Sequence, residues 1–187
     1  MVSKNRCSWC LKDELYMHYH DTLWGVPEHD PVRLFEFLNL EGAQAGLSWY
    51  TVLCKKEDYF RLFKGWVPRD ILAMSASERA SLYNNPAIIR NRLKIDAVFT
   101  NAQAYLDMES EGENFSRFIW SFVDGTPILN RFESMSEVPA KTDISERMSK
   151  ALKKKGFKFV GPTITYAFMQ AVGMVNDHMV DCWRYPK

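Results

Sequence analysis

The stretch KALKKKGFKFVGPTITYAFMQAVG, residues 150–173, decides the fold class. A helical pattern runs into Gly156, and Pro162 is well placed to begin a second helix. Only residues 157–161, FKFVG, separate the two, so the sequence predicts two helices joined by a tight turn, a helix-hairpin-helix. Gly161 and the first amides of the second helix, that of Thr163 included, would be unpaired donors at a positive helix end, which suits a phosphate oxygen.

The segment before this hairpin carries the clearest charge asymmetry of the chain. Residues 147–158 contain six basic and no acidic residues, with Lys154 and Lys155 among them, whereas the whole chain of 187 residues has a formal net charge of +1. One interpretation is a solvated helix face whose lysines favour the C-terminal dipole; the other is contact with a DNA backbone. The adjacent hairpin favours DNA, through contacts that position a duplex without identifying its bases.

Start and stop signals elsewhere predict further helices and no convincing strand. Residues 126–142, which include two prolines, are predicted as an irregular connector. Phe60 is expected on the apolar face of the helix that begins at Ser48. The first two expected helices run from Asp30–Pro31 to about residues 42–46 and from Ser48 to about Gly65, and a short third one begins at a capping box of Ser75 and Glu78. Three more are expected: from Asn85–Pro86 to Leu106, from Phe115 to Gly125, and from a capping pair of Asp143 and Glu146 to Gly156. The chain is therefore predicted to be all-α.

The composition excludes several classes of protein. Hydrophobic residues make up 47% of the chain and charged residues 25%, which is enough apolar content for a core and excludes a disordered or fibrous protein. No uncharged apolar run approaches the roughly 18 residues of a membrane span, and the start MVSKNRCSWC lacks the apolar stretch of a signal peptide. We expect a soluble, cytoplasmic monomer with no membrane partner, whose four cysteines are reduced or bind metal.

Cysteines and histidines near the two chain ends are spaced as metal ligands. His178 and Cys182 are four residues apart, so both could face one ion in a helical turn, and Cys7 lies thirteen residues before His20. A Cys2His2 set would join the ends at one tetrahedral zinc, which would be structural because no position stays open. The spacing leaves three alternatives open: a set that uses both Cys7 and Cys10, a set with His18 in place of His20, and unrelated buried thiols and surface histidines.

Glu41 is the candidate functional carboxylate. It lies in LNLEGAQAGLSWYTVL, residues 38–53, where glycines break the helical pattern and a tryptophan follows. Apolar neighbours would shield it from water, and buried charges tend to be paired or functional. A helix cap or an ordinary surface glutamate is the alternative, and spacing alone does not choose between them.

Several separated strings carry a family resemblance. They are CSWC (7–10), YHDTLWGVPEHD (19–30), LEGAQAGLSWYTVL (40–53), and KALKKKGFKFVGPTITYAFMQAVGMVNDH (150–178), followed by the pair His178 and Cys182. In this order, and over nearly the whole chain from about Arg6 to Pro186, they resemble the bacterial type I DNA-3-methyladenine glycosylases. The resemblance implies an all-α, two-lobed helix-hairpin-helix glycosylase fold, with lobes at about 31–110 and 111–173 and with termini 1–30 and 174–187 joined at zinc.

The resemblance also implies an activity. The protein would flip 3-methyladenine out of double-stranded DNA and hydrolyse its N-glycosidic bond, leaving an abasic site for base excision repair, with no lyase step. Methylation at N3 makes the adenine ring cationic, so the lesion is already a good leaving group, and a shielded carboxylate with ring faces would select it over normal purines. Two other classes stay open: a zinc-tied, non-catalytic DNA-binding module, and a nucleosidase acting on free nucleosides.

The resemblance further implies roles for individual residues. The zinc ligands would be Cys7, His20, His178 and Cys182; Glu41 would hydrogen-bond the extruded base; Tyr19 and Trp49 would stack on it; and Trp9, Tyr16 and Trp24 would complete the pocket. Lys154, Lys155, Gly161 and Thr163 are the expected DNA contacts, and Gln44 and Leu47 are candidates for the residue that wedges into the duplex. Asp177 and Asp181 lie where the wider superfamily has a catalytic aspartate, but beside the predicted zinc ligands we expect them to support those ligands or to lie at the surface.

Overall fold

The structure, a computed structural model, describes residues 4–186, and this part of the chain contains ten α-helices. They are α1 (Glu14–Thr22), α2 (Pro31–Gln44), α3 (Trp49–Leu53), α4 (Lys56–Leu62), α5 (Pro68–Leu72), α6 (Ala76–Leu82), α7 (Arg92–Ser110), α8 (Phe115–Trp120), α9 (Asp143–Lys154) and α10 (Pro162–Ala171). Short 3-10 turns lie at Ser8–Cys10, Lys64–Trp66, Ser121–Val123 and Met135–Glu137. The chain was predicted to be all-α, and a mainly helical fold is what the structure confirms; residues 1–3 and 187 of the predicted terminal segments lie outside the described residues.

Helix α2 is the central element. Its start is the predicted one: the Asp30 side chain accepts hydrogen bonds from the amides of Val32 and Arg33, and Pro31 occupies the first position. From Leu34 to Ala43 every residue is buried, because α2 contacts α3, α7, α8 and α10. A helix enclosed on all sides buries whatever polar residues it carries, so each of them needs a partner or a function.

Helices α9 and α10 form the predicted hairpin through residues 155–161. Gly156 has a φ of +97°, the left-handed conformation that favours glycine after a helix end. Ser149 Oγ donates to the carbonyl of Val160 at 2.6 Å, which holds the turn closed. The buried Asn101 of α7 receives the amide of Lys158 at 2.7 Å and donates to its carbonyl at 3.2 Å, so the turn is also attached to the rest of the fold.

Three predicted helix boundaries are wrong. The helix capped by Ser48 breaks at Lys55, whose amide bonds to Val52 in a 3-10 turn, and beyond the break Phe60 is 44% exposed. The helix expected from Asn85 begins at Arg92, because the Asn85 side chain accepts the Ala87 amide and turns the chain instead. The cap of α9 is Thr142 with Ser145, rather than Asp143 with Glu146. The capping box of Ser75 and Glu78 is confirmed.

A strand pairing was also missed. Ile128–Leu129 (β1) pairs in parallel with Val175–Asn176 (β2), inside the segment predicted as an irregular connector. Two residues are too few for an alternating pattern, so the sequence carries no signal for this pair. Among the described residues, no helix combines the length and the hydropathy needed to cross a membrane.

Candidate active site and metal cluster

A cavity of about 290 Å³ lies beside α2 and brings together all six residues predicted for base binding. Helix α1 contributes Tyr16 and Tyr19, α2 contributes Glu41, and the other predicted rings come from the short segments around them. Sequence reasoning missed three lining residues, Met135, Ala167 and Gln170. The full lining is Trp9, Tyr16, Tyr19, Trp24, Glu41, Gln44, Trp49, Met135, Ala167 and Gln170.

Aromatic side chains make up half of the residues that line the cavity. Tyr19 and Trp49 have ring centroids 5.3 Å apart, and Trp9 lies 5.0 Å from both Tyr16 and Trp24. Burial, and then the nearby Glu41, raise the pKa of Tyr19 well above its usual value, so its hydroxyl is neutral. A cavity walled by ring faces and edges suits a flat aromatic ligand.

Glu41 is the one buried carboxylate of α2 that lacks a counter-charge among the described residues. Glu36, five residues earlier, is equally buried but lies 2.9 Å from the Lys56 ammonium and also pairs with Arg33. Glu41 is 3% exposed, and its Oε2 has no hydrogen-bond partner in the described chain. Burial raises the pKa of Glu41 to about 8.

An unpaired buried carboxylate is costly, so its presence in a cavity indicates a ligand that compensates it. The indole Nε1 of Trp49 is likewise buried without a partner in the described residues. The cavity can therefore take a planar ring that brings positive charge or hydrogen-bond donors to Glu41. This arrangement excludes the alternative of a helix cap or a surface glutamate.

A second cavity, of about 360 Å³, continues from Glu41 towards the hairpin. Gln44, Leu47 and Thr163, three of the predicted DNA contacts, line it together with Glu41. Leu47 is 41% exposed, so its side chain is accessible for an external contact. These three predicted contacts thus line one cavity that also reaches the buried carboxylate of Glu41.

The other predicted DNA contacts of the hairpin, Gly161, Lys154 and Lys155, do not line this cavity and differ in their surroundings. Gly161 has an ordinary extended conformation, and a Cβ added there would meet nothing within 4 Å, so neither the backbone nor the packing requires glycine. Lys154 is exposed, whereas the Lys155 ammonium lies 3.0 Å from Glu111 and pairs with Glu113 as well. The positive charge of Lys155 is therefore largely compensated within the protein.

The four predicted metal ligands form one buried cluster. All four ligand atoms of Cys7, His20, His178 and Cys182 lie within 4.8 Å of one another. Cys182 Sγ is 3.5 Å from His20 Nε2 and 3.6 Å from His178 Nδ1. A tetrahedral ion bound at about 2.3 Å to sulfur and about 2.0 Å to nitrogen requires sulfur–nitrogen separations of about 3.5 Å, so this cluster could hold a metal.

The cluster removes the ambiguity that spacing left. His18 is exposed while His20 is buried, and Cys10 donates its thiol to the carbonyl of Cys7 at 3.1 Å instead of joining the cluster. The Cys7 thiol donates to Cys182 and lowers the pKa of Cys182, with help from the two histidine rings and against the effect of burial. The same contact and burial raise the pKa of Cys7.

Both histidines are held in the tautomer that a metal needs. His20 Nδ1 is 2.9 Å from Asp21 Oδ1, and His178 Nε2 is 3.2 Å from the carbonyl of Trp24, so the other ring nitrogens face the cluster. Burial would raise the pKa of Asp21, but hydrogen bonds from Arg6, His20 and Trp183 outweigh it and hold that pKa well below its usual range. Sequence reasoning missed Asp21, although its position next to His20 was the available signal.

The two C-terminal aspartates do not contact the ligand atoms. The Asp181 carboxylate accepts from Asn5 Nδ2 at 2.9 Å near the surface. Asp177 is buried and accepts from three side chains, those of Asn130, Tyr166 and Gln170. The expectation of a surface role fits Asp181, whereas Asp177 is buried and contacts Gln170, a lining residue of the Glu41 cavity.

The fold and the site together define a class: a mainly helical protein with a cavity of aromatic side chains around a buried carboxylate, next to a Cys2His2 cluster. The methyladenine glycosylase family model matches residues 9–185, and the chain belongs to this family. It is 52% identical over 181 residues to the DNA-3-methyladenine glycosylase 1 of Escherichia coli K12, covering 97% of each protein. It is 50% identical over 177 residues to the DNA-3-methyladenine glycosylase of Haemophilus influenzae, covering 95% of this chain and 96% of the relative.

A solved structure supports the same assignment. The 3-methyladenine DNA glycosylase I of Staphylococcus aureus, described as a structural basis of 3-methyladenine recognition, matches with a TM-score of 0.92 and 39% identity over 98% of both chains. The resemblance stated from the sequence motifs is thereby confirmed.

Proposed function

We propose that this protein is a DNA glycosylase that flips 3-methyladenine out of double-stranded DNA and hydrolyses its N-glycosidic bond, leaving an abasic site for base excision repair without lyase activity. The observation that carries the proposal is the unpaired carboxylate of Glu41 inside a cavity of aromatic rings. The family and the named relatives supply the reaction class.

Charge selects the substrate in this proposal. An adenine methylated at N3 carries a positive charge in DNA, whereas normal purines are neutral. A carboxylate shielded from water attracts a cationic ring more strongly than a solvated one does, because the local dielectric is low. Glu41 therefore selects the lesion against a large excess of undamaged bases, and it does so only after the base has left the stack.

The rings hold the extruded base in position. Stacking on an aromatic side chain contributes about 1 to 3 kcal/mol per base, and a cationic base adds attraction to the ring face. Tyr19 and Trp49, whose ring centroids are 5.3 Å apart, are the proposed stacking residues. Trp9, Tyr16 and Trp24 close the remaining wall and keep water away from Glu41.

The protein does not need to protonate the leaving base during hydrolysis. The bond between the sugar C1′ and the base N9 breaks with both electrons going to the base, which leaves as a neutral molecule. A water oxygen then bonds to C1′ and loses a proton. The leaving base needs no further proton, which agrees with a cavity that offers a carboxylate rather than a strong acid.

The Cys2His2 cluster is proposed to hold one structural zinc ion. Two thiolates and two imidazoles are typical zinc ligands, and four protein ligands leave no position for water. The bound ion would fix the two chain ends and support the cavity wall, because the Trp9 ring is 5.4 Å from His20 and the Trp24 ring is 4.7 Å from His178. The two lobes, 31–110 and 111–173, a monomeric state and a cytoplasmic location stay predictions from the sequence.

The hairpin is proposed as the DNA backbone contact. Gly161 and Thr163 would present amides to a phosphate, which could approach closely because no side chain occupies the space at Gly161. Lys154 would add charge, with a smaller net contribution from Lys155. Gln44 and Leu47 lie on the path between this phosphate and Glu41, so they are the candidates for insertion into the duplex.

The direct test is release of free bases from methylated duplex DNA by the purified protein, resolved by chromatography. We expect 3-methyladenine to be released well above the spontaneous rate, with 7-methylguanine retained and no strand cleavage before alkali treatment. A folded protein that binds this DNA but releases no base would instead be a non-catalytic damage sensor. Release from free nucleosides at a similar rate would favour a nucleosidase.

A further inference from the structure

Leu47 lines two cavities that have no other lining residue in common, so its side chain stands between them. One is the cavity described above, which reaches Glu41 and is bordered by Thr163 at the start of α10. The other, which we call the Arg90 groove, has a volume of about 620 Å³. Its lining is Leu47, Thr51, Lys55, Tyr83, Asn84, Pro86, Ile88, Ile89 and Arg90.

The turn that carries Leu47 is held in place by Lys94 of α7. Lys94 Nζ donates to the carbonyl of Ala43 at 2.8 Å and to that of Ala45 at 2.6 Å. The amide of Leu47 closes the turn on the carbonyl of Gln44 at 2.6 Å. Leu47 is therefore an exposed apolar side chain on a fixed support, with a cavity on each side.

The Arg90 groove is lined by two cations and by no carboxylate. Lys55 Nζ donates to the carbonyl of Pro86 at 2.7 Å and pairs with no carboxylate of the described residues. Arg90 is exposed, and its guanidinium has no hydrogen-bond partner in the described chain. The residue after Lys55 shows the contrast, because Lys56 lies 2.9 Å from Glu36 and is compensated within the protein. The charges of Lys55 and Arg90 are therefore available to an anion from outside.

The position of Leu47 determines which anion fits. A side chain that enters a duplex in the place of an extruded base has one sugar-phosphate backbone on each side of it. The strand that loses its base from the stack must pass on the side of the cavity that leads to Glu41, where Thr163 and the hairpin lie. The backbone on the other side of Leu47 then belongs to the undamaged strand, and the Arg90 groove faces it.

We propose that the Arg90 groove binds backbone phosphates of the undamaged strand, with Arg90 and Lys55 as the donors. This inference rests on the proposed function and adds a second DNA site to the hairpin. Arg90 offers a planar fork of donors that matches a phosphate, and Lys55 adds a point charge. The contacts position the duplex without identifying its bases, and both strands stay bound while the stack between them is opened.

The first test compares duplex with single-stranded DNA. Fluorescence anisotropy measures the affinity of the protein for an undamaged duplex and for one of its strands alone, over a range of salt concentrations. Arg90→Ala should lower the affinity for the duplex about fivefold and reduce its salt slope by about 1, because one phosphate contact is lost. Its affinity for the single strand should stay at the wild-type value. Lys154→Ala, in the hairpin, should weaken binding to both.

The second test identifies the strand. A duplex with one stable abasic-site analogue fixes the register, and single neutral methylphosphonate linkages are placed in either strand around it. In the undamaged strand, at least one linkage should lower wild-type affinity about fivefold and lower the affinity of Arg90→Ala no further. Linkages in the damaged strand should act independently of Arg90→Ala. Coupling of Arg90 to the damaged strand would overturn the assignment, and so would coupling to no linkage, as expected for a groove that binds a free phosphate ester.

Arg117→Ala is the matched control. Arg117 is exposed and lines neither cavity, and its loss changes the net charge by the same amount. It should leave both affinities and both salt slopes unchanged. An equal loss in Arg117→Ala and Arg90→Ala, or an equal loss for duplex and single strand in Arg90→Ala, would overturn the proposal. Lys55→Ala also removes the bond to Pro86, so Arg90→Ala decides if that variant does not fold.

Release of 3-methyladenine from methylated duplex DNA by the wild-type protein is measured in parallel. Normal release together with no duplex-specific effect of Arg90→Ala contradicts only this inference. No release by the wild-type protein contradicts the proposed function, whereas the comparison of undamaged duplex with single strand does not depend on excision and still reports on the groove.

Discussion

The Cys2His2 cluster and the Glu41 cavity are both buried and both draw on α1, where Tyr19 lines the cavity and the next residue, His20, belongs to the cluster. The two sites differ in whether their polar atoms have hydrogen-bond partners. In the cluster, each histidine has an acceptor for its outer nitrogen, and the amide of Arg184 lies 3.4 Å from Cys182 Sγ. In the cavity, Glu41 Oε2 has no partner among the described residues.

This difference agrees with the two proposed roles, in which the cluster holds a permanent ion that supports the fold and the cavity binds a base that later leaves. Atoms around a permanent ion can be satisfied once and kept so, which stabilises the protein. A cavity for a transient ligand must leave its own groups unpaired between binding events, which lowers stability. Removing the cluster should therefore unfold the protein, and neutralising Glu41 should stabilise it while abolishing function.

Loss of the metal is the largest expected effect. Chelation, or Cys7→Ala, should lower the free energy of unfolding by on the order of 10 kcal/mol, as for structural zinc sites, which is comparable to the whole stability of a domain. Thermal unfolding with and without chelator, combined with metal analysis, measures this; we expect about one zinc per chain. Cys54→Ser is the control, because Cys54 is exposed and outside the cluster. Unchanged unfolding of metal-free protein would remove the contrast between the two sites.

Glu41→Gln should stabilise the protein in a pH-dependent way. The folded-state pKa of Glu41, about 8, lies above the ordinary value of 4.5, so the folded state holds a proton that the unfolded state loses between these values. The stability cost of Glu41 is therefore absent below about pH 4.5, grows as the pH rises and is complete above about pH 8, where it reaches about 3 to 5 kcal/mol. Chemical denaturation of both proteins from pH 5 to pH 9 measures it. Glu57→Gln, at an exposed site, should show no such trend.

The same substitution should have the opposite effect on function. Removing the carboxylate that faces a cationic base should cost about 2 to 4 kcal/mol, which lowers kcat/KM for 3-methyladenine excision roughly 30- to 1000-fold, while affinity for undamaged DNA changes little. In the wild-type protein kcat/KM should rise with pH towards about 8, because only ionised Glu41 attracts the cation. Full activity of Glu41→Gln would show that the unpaired carboxylate does not interact with the methylated base.

Asp21→Asn tests the cluster separately from the cavity. Loss of the acceptor for His20 Nδ1 should lower zinc affinity about 10- to 100-fold, as for other outer partners of metal ligands, and leave excision unchanged when zinc is in excess. Competition with a zinc chelator measures the affinity. Asp181→Asn is the matched control, since its carboxylate binds Asn5 instead of a ligand. An equal loss of zinc affinity in both variants would contradict the proposal that Asp21 supports His20 as a metal ligand.

The smallest effect is expected at the surface, away from both buried sites. Lys154→Ala should weaken binding to any duplex DNA and reduce the slope of log affinity against log salt by about 1, the value for one phosphate contact. Lys155→Ala should change the slope less, because Glu111 and Glu113 already compensate its charge. Identical slopes for Lys154→Ala and the wild-type protein would place the DNA elsewhere.

Local rules account for what the sequence predicted well. The caps at Asp30, Ser48 and Ser75 and the glycine at residue 156 act within one helical turn, so neighbouring residues suffice to predict them. The errors arose where two local signals competed. Asn85 could cap a helix or form a turn with its own backbone, and it forms the turn.

The site shows the same division. Residue types and order sufficed to identify the family, and through it they singled out Glu41 and the four residues that the structure brings into one cluster. Spacing alone could not choose His20 over His18, because the choice depends on which side of α1 faces the core. The lining residues Met135, Ala167 and Gln170 had no sequence signal, since only the tertiary packing brings them to the cavity.

By itself, the sequence determined the helical elements, the hairpin between α9 and α10, and the set of residues able to bind metal or a base. Only the tertiary structure decided what each of them faces. Glu36 and Glu41 lie on one helix and are both buried, yet Lys56 faces the first, and a cavity faces the second. The energy of a buried charge depends on what lies within a few ångströms of it across the fold, and the chain brings those groups from distant positions.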